Sequence, residues 1–214
     1  MAISKVNFNS LNVTPTASKV LKFNSSNDGL EAGDVGGALV LISEQTASSS
    51  STVSFTSGMD STYKEYIFKF INIHSSGDNV NFSFNASADS GSNYNVTKTT
   101  TFFIAGHPEN DASTVLDYDT GRDIAQGTGF QKLAYQSGSG NDENLVGTLH
   151  LFDPSSTTFV KHFISRTNLN TYHDYSIESY VAGYFNTTSA IDAVQFKMDS
   201  GNIDSGTIKM YGVT

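Results

Sequence analysis

The sequence predicts an all-β protein, specifically an antiparallel jelly-roll-like β-sandwich with an extended N-terminal arm. The first observation is period two: apolar and polar residues alternate along much of the chain, whereas helical periodicity is almost absent. The second is turn chemistry, because Gly, Asn, Asp and Ser separate the alternating runs and only 3 prolines occur. The third is size, since 214 residues can bury a core that needs no disulfides, and the chain has no cysteine.

The individual strands follow from these runs. Residues 80–86 alternate strictly, which predicts a strand with one buried and one exposed face. Residues 66–73 are apolar on both faces and predict a central strand that is covered on both sides. The other predicted strands are rich in β-branched and aromatic residues; they are 38–43, 52–56, 99–105, 145–152, 158–165, 177–185, 190–198 and 207–213.

The connections are predicted from turn residues and loop length. At the chain end, Gly, Asn, Asp and Ser at 201–206 join two alternating runs, which predicts a hairpin that closes the domain. The serine-rich patch at 48–51 is interpreted as a hairpin loop between two strands. Residues 106–129 and 137–144 are the best candidates for exposed loops, and long loops in a compact domain tend to contact partners.

The N-terminal segment differs from the rest of the chain. In residues 1–36 the apolar residues are irregularly spaced among Asn, Ser and Thr, which indicates an extended arm or a strand pair laid on the sandwich. We therefore divide the chain into an arm or docking segment, 1–36, and a sandwich domain, 37–214. The apolar residues expected to dock the arm onto a partner are Phe8, Leu11, Val13 and Phe23.

Charge and hydropathy restrict the partners. The formal net charge is -9 and the Lys and Arg residues are scattered, so we expect no nucleic-acid partner. No run approaches the roughly 18 apolar residues of a membrane helix, so we expect no membrane insertion. The N-terminus lacks the apolar segment of a signal peptide, which predicts synthesis in the cytoplasm.

An acidic stretch is the main candidate for metal binding. Asp117, Asp119 and Asp123 precede or flank a glycine at a spacing that calcium loops use, because alternate oxygens can converge on one hard cation. The pattern lacks flanking helices and a bidentate Glu. The alternative is a solvated acidic loop in which Arg122 pairs locally. We expect no cofactor, with calcium as the one candidate.

Catalytic chemistry is not predicted. The five histidines lie outside metal and catalytic motifs, although His150 and His162 fall in predicted strands and could meet across a sheet. A carboxylate pair for glycoside hydrolysis would have to come from the acidic loop residues, which are Asp111, Asp117, Asp119, Asp142 and Glu143. Acidic loops are common without such a role, so we expect the protein not to be an enzyme.

Tyrosines outside the strand cores are candidates for contact with a receptor or a glycan. A tyrosine offers a flat apolar ring and a hydroxyl, which suits stacking on a sugar or on another protein. The alternative is that these rings pack at strand ends. The candidate contact residues are Tyr94, Tyr118, Tyr135 and Tyr172.

Three stretches carry a resemblance to a known family. They are 37–43 with 53–56, then 60–73 with 82–84 and 87–94, and finally 190–196 with 200–212. Together they resemble the jelly-roll domain of tailed-bacteriophage virion proteins, particularly tail-fibre and capsid-associated proteins. The resemblance covers about residues 37–213 and brings no catalytic residues with it.

The resemblance implies a non-enzymatic virion protein that is made in the bacterial host cytoplasm. We expect an attachment appendage of the tail-fibre type or a capsid-surface decoration protein, with other virion proteins as partners. A homotrimer would cover the edges of the sheets, and a host-surface glycan is the expected receptor. The alternative is a lectin-like carbohydrate-binding module that uses the loop tyrosines.

Overall fold

The structure, a computed structural model, describes residues 20–26, 28–33 and 38–214. The residues it describes form strands, turns and loops and contain no helix. The strands in chain order are β1 (Val20–Phe23), β2 (Leu30–Gly33), β3 (Leu39–Ser50), β4 (Val53–Phe55), β5 (Glu65–Ser75), β6 (Phe82–Ser87), β7 (Lys98–Pro108), β8 (Val115–Tyr118), β9 (Gln131–Lys132), β10 (Asn144–Phe152), β11 (Lys161–Asn170), β12 (Tyr175–Phe185), β13 (Ala193–Met198) and β14 (Ile203–Val213).

The chain divides into two compact units, 1–38 and 39–214. In the described part of the first unit, β1 and β2 form an antiparallel hairpin in which Val20 lies opposite Gly33. Phe23 is exposed in this hairpin. The other predicted docking residues, Phe8, Leu11 and Val13, lie outside the described residues, so their docking role stays a prediction.

The second unit is an antiparallel β-sandwich, which confirms the predicted fold class. The large sheet has eight strands in the order β3-β14-β5-β10-β11-β12-β7-β8, and the small sheet has four in the order β4-β13-β6-β9. Strands β3-β14-β5-β10 together with the small sheet have the strand order of an eight-stranded jelly roll, in which the chain passes repeatedly between sheets. Two inserted hairpins, β7–β8 and β11–β12, widen the large sheet beyond its four jelly-roll strands.

Aromatic rings join the two sheets. Phe196 on β13 is fully buried and contacts Phe68 and Phe70 of the large sheet, with ring centroids 5.4 and 5.3 Å apart. Phe84 on β6 contacts Phe163 on β11 at 4.9 Å, so the core continues under the inserted strands. These edge-on and tilted contacts pack rings efficiently, and they fix which face of each strand points inward.

Period-two burial accounts for most of the strands, but the prediction of one exposed face for residues 80–86 is wrong: all six residues of β6 are buried, including Ser83, Asn85 and Ser87. β11 alternates without exception, with residues 161, 163, 165, 167 and 169 buried and the residues between them exposed. β5 lies between β14 and β10 in the large sheet, so its central position is confirmed. The prediction that it is covered on both sides is wrong, because the described residues leave Ile71 39% exposed.

Several predicted connections are wrong. The end of the chain is not a hairpin, because β13 lies in the small sheet and β14 in the large one. Residues 48–50 belong to β3 rather than to a hairpin loop, and the following strand β4 lies in the other sheet. The predicted loop 106–129 contains β8, which pairs with β7 and forms one edge of the large sheet.

Candidate functional site

A cleft of about 400 Å³ opens beside the inserted strands of the large sheet. Strands β7, β8 and β12 supply its floor, and three connecting segments supply its walls. Its lining mixes aliphatic, aromatic, carboxylate, amide and imidazole groups: Ile104, Val115, Asp117, Asp119, Tyr135, Gln136, His173, Tyr175 and Ile177. A concave site with apolar walls and a few polar groups is the usual form of a small-ligand site.

The floor of the cleft is set by strand register. Ile104 on β7 lies opposite Asp117 on β8, and Gly106 lies opposite both Val115 and Ile177. A side chain at Gly106 would collide with Ile177, whose Cδ1 atom lies 2.4 Å from the position of an added Cβ. The glycine therefore lets Ile177 fill the floor, which keeps the cleft shallow and apolar at its base.

The walls are held together by the backbone. Ser137 forms isolated bridges with both Val80 and Thr171, and the amide of Tyr172 donates to the carbonyl of Gln136 at 3.3 Å. Gln136 and Asp174 both have a positive φ, 57° and 58°. The left-handed region is uncommon for a residue such as glutamine and persists only where the surroundings enforce it, so the walls are preformed.

Arg122 is the principal cation beside the cleft. Its guanidinium lies 3.7 Å from the centre of the Tyr135 ring and pairs with the carboxylate of Asp119. Burial lowers the pKa of Arg122 from its ordinary value. The buried Nε atom of Arg122 has no hydrogen-bond partner among the described protein groups. Arg122 therefore backs the aromatic wall and neutralises one of the two carboxylates of the cleft.

The three predicted metal ligands are used in different ways. Asp117 and Asp119 line the cleft, whereas Asp123 accepts a hydrogen bond of 2.8 Å from the Tyr118 hydroxyl. That bond and the charge of Asp123 raise the pKa of Tyr118. In the part of the chain that the structure describes, no group of three or more His, Asp or Glu side chains could hold a metal ion. The local pairing of Arg122 is the arrangement that the alternative interpretation predicts.

The four predicted contact tyrosines do not converge on one site. Tyr135 lines the cleft, and Tyr172 lies beside it with its ring 3.7 Å from that of His173. Tyr118 lies on the opposite face of the large sheet, where its partner on β7 is Phe103. Tyr94 is remote from the cleft lining, and its carbonyl accepts a hydrogen bond from Asn85.

Sequence reasoning does not single out Gln136 and His173, and it considers Tyr175 only as one of the tyrosines in loops or near strand ends. A signal for His173 is present, because the short run 172–175 places two tyrosines and a histidine between two predicted strands. Nothing in the sequence indicates that Gln136 adopts a positive φ and faces them. Loop-to-loop placement of this kind depends on tertiary contacts, which local patterns do not contain.

The other titratable candidates are scattered. His150 pairs with Glu65 at 2.6 Å, whereas His162 lies against the Tyr184 ring, so the two histidines do not meet across the sheet. Of the five carboxylates considered for glycoside hydrolysis, Asp117 and Asp119 line the cleft. The other three contact groups elsewhere: Asp111 pairs with His107, the backbone carbonyl of Asp142 accepts a weak bond from Asn170, and Glu143 accepts from the amide of Gly140.

A second feature is the outer face of the large sheet, which is the side away from the small sheet. One row of outward side chains crosses seven strands in register and consists of Leu41, Tyr211, Ile67, His150, Ile164, Ala182 and Thr101. We call this the central row. In the adjacent row, Phe103 stacks on Tyr180 with centroids 4.7 Å apart. The central row is therefore largely uncharged and partly apolar, whereas the adjacent row also carries Arg166, Lys69, Lys209 and Glu44.

Comparison with known proteins adds no assignment. No family model, curated protein or solved structure matches the chain. Among the residues that the structure describes, no helix is both long and apolar enough to cross a membrane. The function is therefore inferred from the fold, the cleft and the outer face.

Proposed function

We propose that this chain is a non-enzymatic structural protein of a bacteriophage virion, either an attachment appendage of the tail-fibre type or a capsid-surface decoration protein. The observation that carries the proposal is the strand order of the second unit, because viral capsid domains and lectins are among the proteins that use jelly rolls. The widened large sheet adds a broad outer face to this unit. The protein acts by assembling with other copies and with other virion proteins.

The central row supports assembly through the outer face. Ile164, the fifth of the seven residues in this row, is 53% exposed, and Leu41 at its end is also exposed. Apolar patches on a protein surface commonly mark interfaces, and Ile164 and Leu41 are the exposed aliphatic residues of this row. The sheet also has two edges, β3 and β8, that a closed ring of three subunits would cover. We therefore propose a homotrimer in which the central row is buried.

The oligomeric state tests this proposal directly. In size-exclusion chromatography with light scattering, we expect the wild type at the mass of three copies of the 23.0 kDa chain, about 69 kDa. Ile164→Lys places a charge in the proposed interface and should give a folded monomer, because the side chain is exposed within one subunit.

Phe159→Lys is the matched control. Phe159 is 70% exposed, but it lies in the connection between β10 and β11 rather than on the outer face. The Phe159→Lys variant should remain a trimer. A wild type that elutes as a 23.0 kDa monomer at all concentrations would contradict assembly through this face.

A carbohydrate-binding function at the cleft is the second candidate. The specific observation in its favour is that Tyr135 and Tyr175 line the same cleft as Asp117, whose carboxylate has no hydrogen-bond partner among the described residues. Aromatic rings stack on the apolar faces of sugars, and a carboxylate accepts from two neighbouring hydroxyls. The two functions are compatible, since attachment proteins need a receptor site.

A glycan array distinguishes this second candidate from assembly alone. Binding should be lost in Tyr135→Ala and reduced in Asp117→Asn, and it should persist in Tyr94→Ala, because Tyr94 does not line the cleft. Repeating the array with EDTA tests whether calcium takes part. Equal binding by the wild type and by Tyr135→Ala would remove the cleft as the receptor site.

A further inference from the structure

A polar trough lies at one end of the outer face, separate from the cleft. It consists of two adjoining hollows of about 380 and 220 Å³ that share Asn144. Its main lining residues are Asn72, Asn144, Asn168, Asn170, Ser176 and His107. Lining residues come from β7, β12, β11, β10, β5 and β14, which are consecutive in the sheet, so the trough spans about 24 Å.

The asparagines of the trough are not explained by strand formation. Asparagine is disfavoured in strands, yet β10 and β11 carry Asn144, Asn168 and Asn170. Their hydrogen bonds are long: Asn144 donates to Asn72 at 3.3 Å, Asn168 donates to Ser176 and to the carbonyl of Ile177, both at 3.3 Å, and Asn170 donates to the carbonyl of Asp142 at 3.5 Å. The buried Oδ1 atom of Asn170 has no partner among the described protein groups. Amide groups whose hydrogen bonds within the protein are long or missing are suited to hydrogen bonds with a ligand.

The backbone also brings Asn72 into the trough. β5 carries one extra residue between Phe70 and Ile73 relative to its neighbour β10, which makes a β-bulge. Asn72 occupies the bulge with a φ of 51°, and its side chain thereby reaches Asn144. Bulges commonly re-aim a side chain at a functional site.

We propose that the trough binds an extended, uncharged polysaccharide chain. Each asparagine amide both donates and accepts, which matches pairs of sugar hydroxyls, and the exposed Val146 offers an apolar patch beside them. No Lys or Arg is among the described residues that line the trough, whereas Glu109 and Asp204 are, so acidic glycans and phosphates are disfavoured.

Polysaccharide binding at the trough is independent of assembly through the central row and of ligand binding at the cleft. Along β11, Asn168 lies four residues from Ile164, or about 13 Å, and the trough shares no lining residue with the central row. A chain that never enters a virion would still bind polysaccharide, and a virion protein without this binding would still assemble.

Native affinity electrophoresis tests the trough. The wild type should be retarded in gels that contain at least one of dextran, mixed-linkage β-glucan or mannan, and less in gels that contain the acidic polymer pectin. The double variant Asn168→Thr and Asn170→Thr removes two amides but favours strands, so the fold is kept. We expect its dissociation constant to rise about tenfold or more.

Two variants serve as controls, with circular dichroism as the check of folding. Thr101→Val alters the outer face away from the trough, and Tyr135→Ala alters the cleft, so both should be retarded like the wild type. The proposal is overturned if no neutral polymer retards the wild type, if pectin retards it most, or if the double variant is retarded as strongly as the wild type.

Discussion

Two buried lysines are the least expected residues of the core. Lys98 on β7 is 0% exposed, and its ammonium donates to the carbonyl of Gly129 at 2.6 Å. Desolvation lowers the pKa of Lys98 to about 8. Lys161 on β11 is equally inaccessible and donates to the carbonyl of Thr187 at 3.2 Å, and burial lowers its pKa too. Each lysine ties a loop to the inner side of the large sheet at the cost of burying a charge.

The pKa of Lys98 predicts a stability that rises with pH. The folded pKa of about 8 lies below the ordinary 10.5, so between these values the unfolded chain binds more protons. The free-energy cost of burying the charged ammonium of Lys98 is fully present below pH 8 and is relieved as the pH increases. From pH 7.5 to 9.5 we expect the free energy of unfolding, measured by urea titration, to rise by about 2 kcal/mol.

Lys98→Met is the control for this pH dependence. It keeps the length of the side chain without the charge, so its unfolding free energy should rise less over the same range. A wild type whose stability is flat or falls between pH 7.5 and 9.5 would show that Lys98 retains an ordinary pKa.

For single residues, the sequence shows which chemical group a side chain carries, but not where the fold places that group. The alternation around residues 99–105 indicates a strand, yet it does not show that Lys98 points inward with the apolar set. Likewise, four tyrosines have the same local character, and Tyr135 reaches the cleft while Tyr94 does not. Loop packing decides both outcomes, and it depends on residues far apart in the chain.

At the scale of elements, the bulge in β5 is matched by a glycine on the neighbouring strand. Gly206 on β14 has a φ of 118°, and an added Cβ would lie 2.6 Å from the carbonyl oxygen of Asn72. Only glycine adopts this conformation without strain and allows the close approach. The bulge that positions Asn72 therefore depends on a residue in the next strand.

Gly206→Ala should destabilise the protein by about 2 kcal/mol or more, because it combines an unfavourable φ with a backbone collision. Gly129→Ala is the matched control, since an added Cβ there has nothing within 4 Å. Chemical denaturation of both variants measures the difference. Equal stability of the two variants would mean that the bulge relaxes at little cost.

Strands are more predictable than their partners. Period two locates the long strands because alternation is a local property, and β11 and β12 show it clearly. The hairpin prediction for the chain end fails because a turn signal does not tell whether the next strand stays in the same sheet. The short β8 and β9 are missed because only pairing with neighbours makes them strands.

At the scale of the whole molecule, one ring couples the two sheets. Phe196 contacts Phe55, Phe82 and Phe84 in its own sheet as well as the two rings of the large sheet. Its loss would leave a cavity at the centre of the sandwich rather than at its edge. The stability of the second unit should therefore be sensitive to this position.

Phe196→Ala should lower the free energy of unfolding by about 3–5 kcal/mol, as expected for removal of a buried ring. The same substitution at the exposed Phe159 should change it by less than about 0.5 kcal/mol. Urea denaturation of the two variants provides the comparison. A small effect at Phe196 would indicate that the sheets are held together elsewhere.

We propose that the surfaces of this jelly roll, rather than a reacting centre, perform its function in a virion. Quantitative mass spectrometry of gradient-purified phage particles, taken from cells that express the chain, tests this most directly. We predict that its peptides co-sediment with infectious particles at a constant copy number. Peptides that remain only in the soluble fraction, away from the particles, would contradict the account.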